Sequence, residues 1–222
     1  MHIGLIGGIG PAATEYYYRG LVRTHAEAGK TLDLTIVHAD AGALLDNLAR
    51  GDAEKQAHIF LKFVERLKAA GADMVAVTSL GGHFCIKELD AISPLPLINA
   101  IPLLDAYFGA HGHKTVGLLG TRAVMESRLY GGITSAKIVL PKGTDLNSTH
   151  QFYVEMAMAG RAKPEHHDFF HRMGRKLCDE QGADAVALGG TDLFMVFEGA
   201  KTDYPLIDCA KIHVDALAGM TI

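Results

Sequence analysis

The sequence predicts an α/β protein made of two similar lobes, each Rossmann-like, with a mainly parallel sheet flanked by helices. Three observations predict it. Short, nearly all-apolar runs alternate with amphipathic helical stretches, the pattern of parallel strands covered on both faces. Each apolar run ends in glycine, threonine or another small polar residue. The whole pattern then recurs roughly 110 residues further on.

The recurrence has three ordered matches. Gly4 in HIGLIGGIGPAATEYYYRG aligns with Gly117 in KTVGLLGTRAVMESRLYGG at an offset of 113. Gly71-Ala72-Asp73 aligns with Gly182-Ala183-Asp184 at 111, and Pro96 with Pro205 at 109. A strand-glycine-helix unit is generic, but three in order at nearly one offset indicate a duplicated fold.

Taken in order, His2–Ile6 reads as a first strand that breaks at Gly7-Gly8-Ile9-Gly10 and enters a helix at Pro11. A second strand closes at Asp40. The stretch Ala53–Ala70 carries Ile59, Phe60, Phe63 and Leu67 on one helical face and precedes the strand Met74–Val77. Pro96–Asn99 reads as the next strand, before a helix bearing Leu103, Leu104 and Tyr107. In the second half Thr115–Leu119 and Pro205–Asp208 are the corresponding strands, and a last helix carries Ile212 and Leu217. The expected lobes are residues 1–100 and 101–210, with a C-terminal helix at 211–222 packing back on the first.

Bulk properties exclude several classes. The chain has 222 residues and a formal charge of -4, with no Lys/Arg block to track a phosphate backbone, so nucleic acid is not an expected partner. Its N-terminal apolar run is too short for a signal peptide or membrane span. Cys85, Cys178 and Cys209 are odd in number and widely spaced, which argues against disulfides or a zinc site and for a reducing cytoplasm. The 12 histidines include no HExxH motif, so no metal is expected.

In parallel sheets ligands sit at the carboxyl ends of strands. Those ends are Gly7–Gly10, Asp40, Thr78-Ser79, Asn99, Gly120-Thr121, Gly189–Asp192 and Asp208. Gly8-x-Gly10-x-x-Ala13 fits a dinucleotide fingerprint, and Asp40 lies where an acid would meet a ribose. The matching loop Gly117–Arg122 lacks that fingerprint, however, and a duplicated chain leaves no separate substrate domain. A smaller anion than pyrophosphate is the better expectation. If the two lobes face each other across a pseudo-twofold axis, Ser79 and Gly190 flank a ligand from opposite sides. Inversion at a Cα needs a base on one side and an acid on the other.

These residues resemble the aspartate/glutamate racemase superfamily over almost the whole chain, and aspartate racemases in particular. The likeness is carried by Gly7-Gly8-Ile9-Gly10-Pro11-x-Ala13-Thr14, by Leu118-Leu119-Gly120-Thr121-Arg122-x-x-Met125-Glu126 with Tyr130, and by Ile207-Asp208-x-x-x-Ile212-His213. The resemblance implies two pseudo-symmetric lobes, isomerase chemistry without a cofactor, a small amino-acid or carboxylate ligand in an interlobe cleft, and a homodimer. Family members carry Cys-Asn-Thr-x-His in the first lobe and Gly-Cys-Thr-Glu in the second, the two thiols working as the acid-base pair. Here Ser79-Leu80-Gly81-Gly82-His83 and Gly189-Gly190-Thr191-Asp192 take those places, and both cysteines are missing. A thiol titrates near ~8.5 and yields a thiolate readily, whereas serine needs an adjacent base and glycine has no side chain.

His83 retains the family's histidine, either poising Ser79 or orienting backbone at a helix start. Asp192 stands in the family's glutamate position. Cys85, Cys178 and Cys209 read as small buried residues. The expected binding set is Gly8, Ile9, Gly10 and Thr14 in the first loop, Thr78, Leu80 and Gly81 after the third strand, and Thr121, Glu126, Gly189 and Thr191 in the second lobe. Arg50 falls where family members grip a carboxylate, and reads equally as a solvated helix-end cation. A basic residue expected before the last long helix is not evident in KPEHHDFF, which offers His166, His167 and Asp168. Tyr16–Tyr18 could line a pocket, a helix face or a dimer contact. Four functions follow as alternatives: an isomerase with an altered acid-base pair, a lyase or decarboxylase, a non-catalytic carboxylate binder, and a nicotinamide enzyme.

Overall fold

In the computed structural model, which describes residues 1–8 and 10–222, the chain divides into two units. One comprises Met1–Asn99 with His213–Ile222, the other Ala100–Ile212. The first runs β1 (His2–Gly7), α1 (Pro11–Glu27), β2 (Asp33–His38), α2 (Ala41–Arg50), α3 (Ala53–Ala69), β3 (Met74–Val77), a 3-10 turn Gly81–Cys85, and α4 (Ile86–Ile92). The second runs α5 (Ala100–Ala110), β4 (Thr115–Leu119), α6 (Arg122–Glu126), β5 (Lys137–Val139), α7 (Thr144–Ala159), α8 (Pro164–Gln181), β6 (Ala185–Leu188), a 3-10 turn Thr191–Leu193, α9 (Phe194–Phe197) and β7 (Leu206–Asp208). Helix α10 (Cys209–Gly219) starts in the second unit and finishes in the first.

Both sheets are wholly parallel, ordered β2-β1-β3 and β5-β4-β6-β7. The stretch Pro96–Asn99, expected as a strand, adds only one bridge, Val75 with Leu97. The ladder consists of Val75 N–H to the Pro96 carbonyl (2.9 Å) and Ile98 N–H to the Val75 carbonyl (2.8 Å), and α5 begins at Ala100. Asp40 does not end a strand either. β2 stops at His38, and Asp40 caps α2, accepting from the Ala43 N–H at 2.8 Å. The acid that a ribose would need is therefore engaged in holding a helix.

The duplication is visible bond by bond. Asp73 N–H donates to the His2 carbonyl and Asp184 N–H to the Thr115 carbonyl, both at 2.8 Å. Val75 and Val186 likewise donate to the carbonyls of Pro96 and Pro205, both at 2.9 Å. The glycine in each leading strand admits a leucine from the helix above it. A Cβ on Gly4 would lie 2.9 Å from Leu67, and one on Gly117 would lie 3.0 Å from Leu177. In α3 the fully buried line is Phe60, Val64 and Leu67, spaced as one helical face. Each unit has its own apolar core, around Phe60, Leu67 and Val75 in the first and around Leu119, Phe170 and Val186 in the second. The end of α10 is tied into the first unit by His213, whose Nε2 donates to the Ile98 carbonyl at 2.9 Å and whose Nδ1 accepts from the Tyr17 hydroxyl at 2.8 Å.

Candidate functional site

The loop after β1 is shaped by threonine hydroxyls. Thr14 Oγ1 accepts from the Gly8 N–H at 2.9 Å and lies 3.3 Å from Thr78 Oγ1, which donates to the Ile6 carbonyl at 3.3 Å. Gly8 has φ +99, and a Cβ there would stand 2.4 Å from His38 Nδ1. A Cβ on Gly7 would stand equally close to Thr14 Cγ2, so both positions need glycine. The Gly8 amide is engaged within the loop, and its contribution to an anion site is close backbone approach rather than a free donor. Gly10 is the extended N-cap residue of the 17-residue α1, and Ile9 lies outside the described residues.

After β3, Ser79 is buried, and its Oγ accepts a long bond from the Gly82 N–H at 3.4 Å. His83 turns toward the Ser79 backbone. Its Nδ1 lies 2.8 Å from the Ser79 carbonyl, and since a carbonyl only accepts, Nδ1 carries the proton. Burial drives the His83 pKa down to about 4, against the smaller opposing effect of that bond. His213, its ring 6.0 Å away, is lowered to about 3, again by burial first and then by His83. Both are neutral at pH 7. Leu80 is buried, and Gly81 leaves room for Ser79 Oγ, which a Cβ would approach at 3.3 Å. The Cys85 thiol donates to the Gly82 carbonyl, and burial pushes its pKa up to about 12. Burial raises Cys178 and Cys209 as well, so all three thiols stay protonated at neutral pH.

In the second unit the strand ends are packed backbone to backbone. Gly190 N–H donates to the Leu119 carbonyl at 3.1 Å, and a Cβ on Gly120 would stand 2.9 Å from the Gly190 nitrogen. A Cβ on Gly189 would meet Leu118 at 2.5 Å. Thr121 caps α6 by accepting from the Val124 N–H at 3.3 Å. Glu126 is exposed on the same helix, paired with Arg122 at 3.4 Å, and the Arg122 guanidinium also donates to Asn147. Thr191 is 3% exposed, and its hydroxyl oxygen makes no hydrogen bond of ordinary geometry among the described residues, although it lies near enough to the Tyr153 phenol to favour its ionised form slightly. Asp192, 2% exposed, accepts from the Tyr153 hydroxyl at 3.0 Å. Burial and then the Asp192 carboxylate hold the phenol well above its ordinary range.

Sequence reasoning missed two residues. Tyr153 on α7 belongs to no motif, and its only trace is the glycine at 190, since a Cβ there would lie 2.1 Å from Tyr153 Cε2. Lys163 heads the stretch KPEHHDFF. Helix α8 begins at Pro164, so Lys163 is itself the basic residue before that helix. It pairs with Glu155 and, at 3.8 Å, Glu165, while its backbone N–H donates to His166 Nδ1 at 3.1 Å. His167 is bonded to the Val196 carbonyl at 3.0 Å. Arg50 is exposed at the end of α2 and donates to Asn47 Oδ1 at 3.2 Å. Tyr17 is buried, while Tyr18 is half-exposed. Among the described residues no group of three or more His, Cys, Asp or Glu is placed to hold a metal, and no helix is long and apolar enough to cross a membrane.

The Asp/Glu/hydantoin racemase family model matches residues 6–217. A candidate Asp/Glu racemase of Yersinia pestis is similar over 100% of this chain and 99% of its own, with 26% identity and a TM-score of 0.81. An aspartate racemase homologue of Pyrococcus horikoshii aligns over 99% and 98% at 21% identity with a TM-score of 0.80. Glutamate racemase of Campylobacter jejuni aligns over 99% and 86% at 15% identity and 0.65. The last two are likenesses of fold.

Proposed function

We propose, because the chain belongs to the Asp/Glu/hydantoin racemase family, that it binds a small amino acid or related carboxylate at its strand-end loops and acts as an isomerase without a pair of thiols. The observation that carries the reading is Thr191. A fully buried hydroxyl without a partner costs about 1–3 kcal/mol. Such a group beside Asp192, at the end of β6, is what a ligand oxygen or ammonium would complete. Ser79 supplies a second hydroxyl whose one hydrogen bond among the described residues is long, and the glycine loop after β1 lets an anion come close to backbone. Arg50 is a candidate cation for a second carboxylate, and Lys163 is another once it exchanges its glutamate partners Glu155 and Glu165 for the ligand. No cofactor enters this reading. A cytoplasmic homodimer belongs to the same proposal, in keeping with three free cysteines.

The test is proton exchange. Incubating the protein with L- and D-amino acids in D2O and following the Cα proton by NMR should show stereospecific loss of signal for an acidic or other small amino acid. No exchange above background across the panel would count against isomerisation. A second reading, carboxylate binding without turnover, is favoured by the weakness of the bases. His83 titrates near 4, and all three thiols are held protonated. Saturable heat on titration with the same ligands, without exchange, would select it. Release of carbon dioxide from malonates would instead select the lyase alternative.

A further inference from the structure

We infer that Tyr153 is the residue standing in for the missing side chain at Gly190: its ring closes that space to any other group, and its hydroxyl bonds to Asp192 beside the open Thr191 hydroxyl. The inference rests on the reading of these loops as a ligand site. Its steric half stands on geometry alone.

A Cβ built on Gly190 would lie 2.1, 2.7 and 2.7 Å from Cε2, Cδ2 and Cζ of Tyr153, so the ring edge occupies the volume in which any side chain at 190 would start. The ring has little room to retreat. Tyr153 is 6% exposed and packed in the second unit's core with Leu119, Met156 and Phe170, and its hydroxyl is tied to Asp192 Oδ2 at 3.0 Å. Retreat would also withdraw the hydroxyl that Asp192 accepts from inside the protein. The glycine at 190 and the tyrosine at 153 therefore depend on each other, though they lie on different elements.

The chemical consequence concerns what this half of the site can offer. The Tyr153 phenol stays protonated at neutral pH and donates to a carboxylate, so it is a fixer of Asp192 rather than a base. Tyr153 is in this sense a positioning residue. It holds the Asp192 carboxylate in one orientation next to Thr191 Oγ1, where a ligand's polar group is received.

The test uses the full chain in four variants: Gly190→Cys, Tyr153→Ala, the two combined, and Tyr153→Phe. Overpacking of a dense core predicts that Gly190→Cys alone lowers the thermal midpoint by about 5 °C or more. The combined variant should be less impaired than the two single losses added together, because each substitution relieves the other. A Gly190→Cys protein as stable as the parent, or strictly additive losses, would overturn the linkage. Tyr153→Phe keeps the ring and removes only the hydroxyl. It should stay folded and weaken calorimetric binding of D- or L-aspartate, or whichever amino acid the parent binds, by about tenfold. Unchanged affinity in Tyr153→Phe would reduce Tyr153 to packing and refute the positioning half. A parent that binds no amino acid or small carboxylate would refute the ligand reading and the positioning half with it, while the stability cycle would still decide the linkage.

Discussion

The loops that follow β3 and β6 occupy equivalent places in the two units, yet they fill their interiors by opposite means. After β3 the chain keeps a side chain at the strand end, Ser79, and secures it with a neutral histidine bonded to its carbonyl. After β6 it dispenses with the side chain at Gly190 and brings an aromatic ring from another helix into the same volume. The first solution is local, five residues long, and rests on a group that could be protonated. The second is assembled across the unit and ends on a carboxylate that accepts from a phenol. A duplicated fold thus repeats its strand geometry bond for bond while each copy solves its loop independently, because strands are constrained by the ladder and loops only by what packs beneath them.

The largest way to separate the two loops is acid. His83 titrates at about 4 when folded against about 6.5 in an unfolded chain, so between those values the unfolded state binds more protons. The stability that depends on a neutral His83 is complete above about pH 6.5 and drains as the pH falls toward 4. The loss is on the order of 3 kcal/mol for that residue. His213, lowered further, adds to the same limb. Hydrogen exchange should show protection around Gly81–Cys85 weakening from pH 7 to pH 4.5, and His83→Gln should flatten that dependence. Protection there that does not depend on pH would remove the histidine from the account.

A smaller effect tests whether the glycine loops are rigid in both units. Gly190→Ala adds the carbon that meets Tyr153, and about 2 kcal/mol of destabilisation is expected from overpacking. Gly8→Ala meets His38 and also forces an alanine to φ +99, which costs about 1–3 kcal/mol. Urea unfolding would measure both. A neutral result at position 190 would mean that the ring yields.

How much of this was legible before the structure depends on the range of each interaction. β3 and β4 read directly from their apolar runs, since strands buried on both faces leave no polar positions to confuse the pattern. Gly4 and Gly117 were visible as a repeat, though not as the seats of Leu67 and Leu177. The strand at Pro96 and the role of Asp40 were misread for one reason. Whether an apolar run joins a ladder and whether a carboxylate accepts a cap bond are decided by the partner backbone, which sequence periodicity does not show. Tyr153 was illegible for a stronger reason, because the pairing of positions 153 and 190 exists only through tertiary packing. Lys163, by contrast, is legible in the sequence, since the proline at 164 marks the helix start that makes it the preceding cation.

Next in size come the hydroxyls that shape each loop from within. Thr14→Ala removes the acceptor of the Gly8 N–H, and Thr121→Ala removes the cap of α6. Each should cost about 1 kcal/mol. Equal losses in thermal melts would show that the two first loops are held with similar strength despite their different geometry. A loss confined to Thr14 would mean that the short α6 does not depend on its cap.

The smallest effect on stability is the one that separates a ligand site from a well-packed corner. Thr191→Val keeps the shape and removes a hydroxyl that makes no bond within the described residues. Deleting a polar atom that is already unsatisfied relieves a desolvation cost, so the variant should be as stable as the parent or more stable by up to about 1 kcal/mol. If the hydroxyl serves a ligand, the same change should weaken binding of the parent's preferred carboxylate by about tenfold, so stability and affinity move in opposite directions. A structural hydroxyl cannot produce that pair of results, because losing it would lower the melting point and leave affinity alone. Measuring both quantities on one protein therefore tells whether the open hydroxyl after β6 was left for something that binds there.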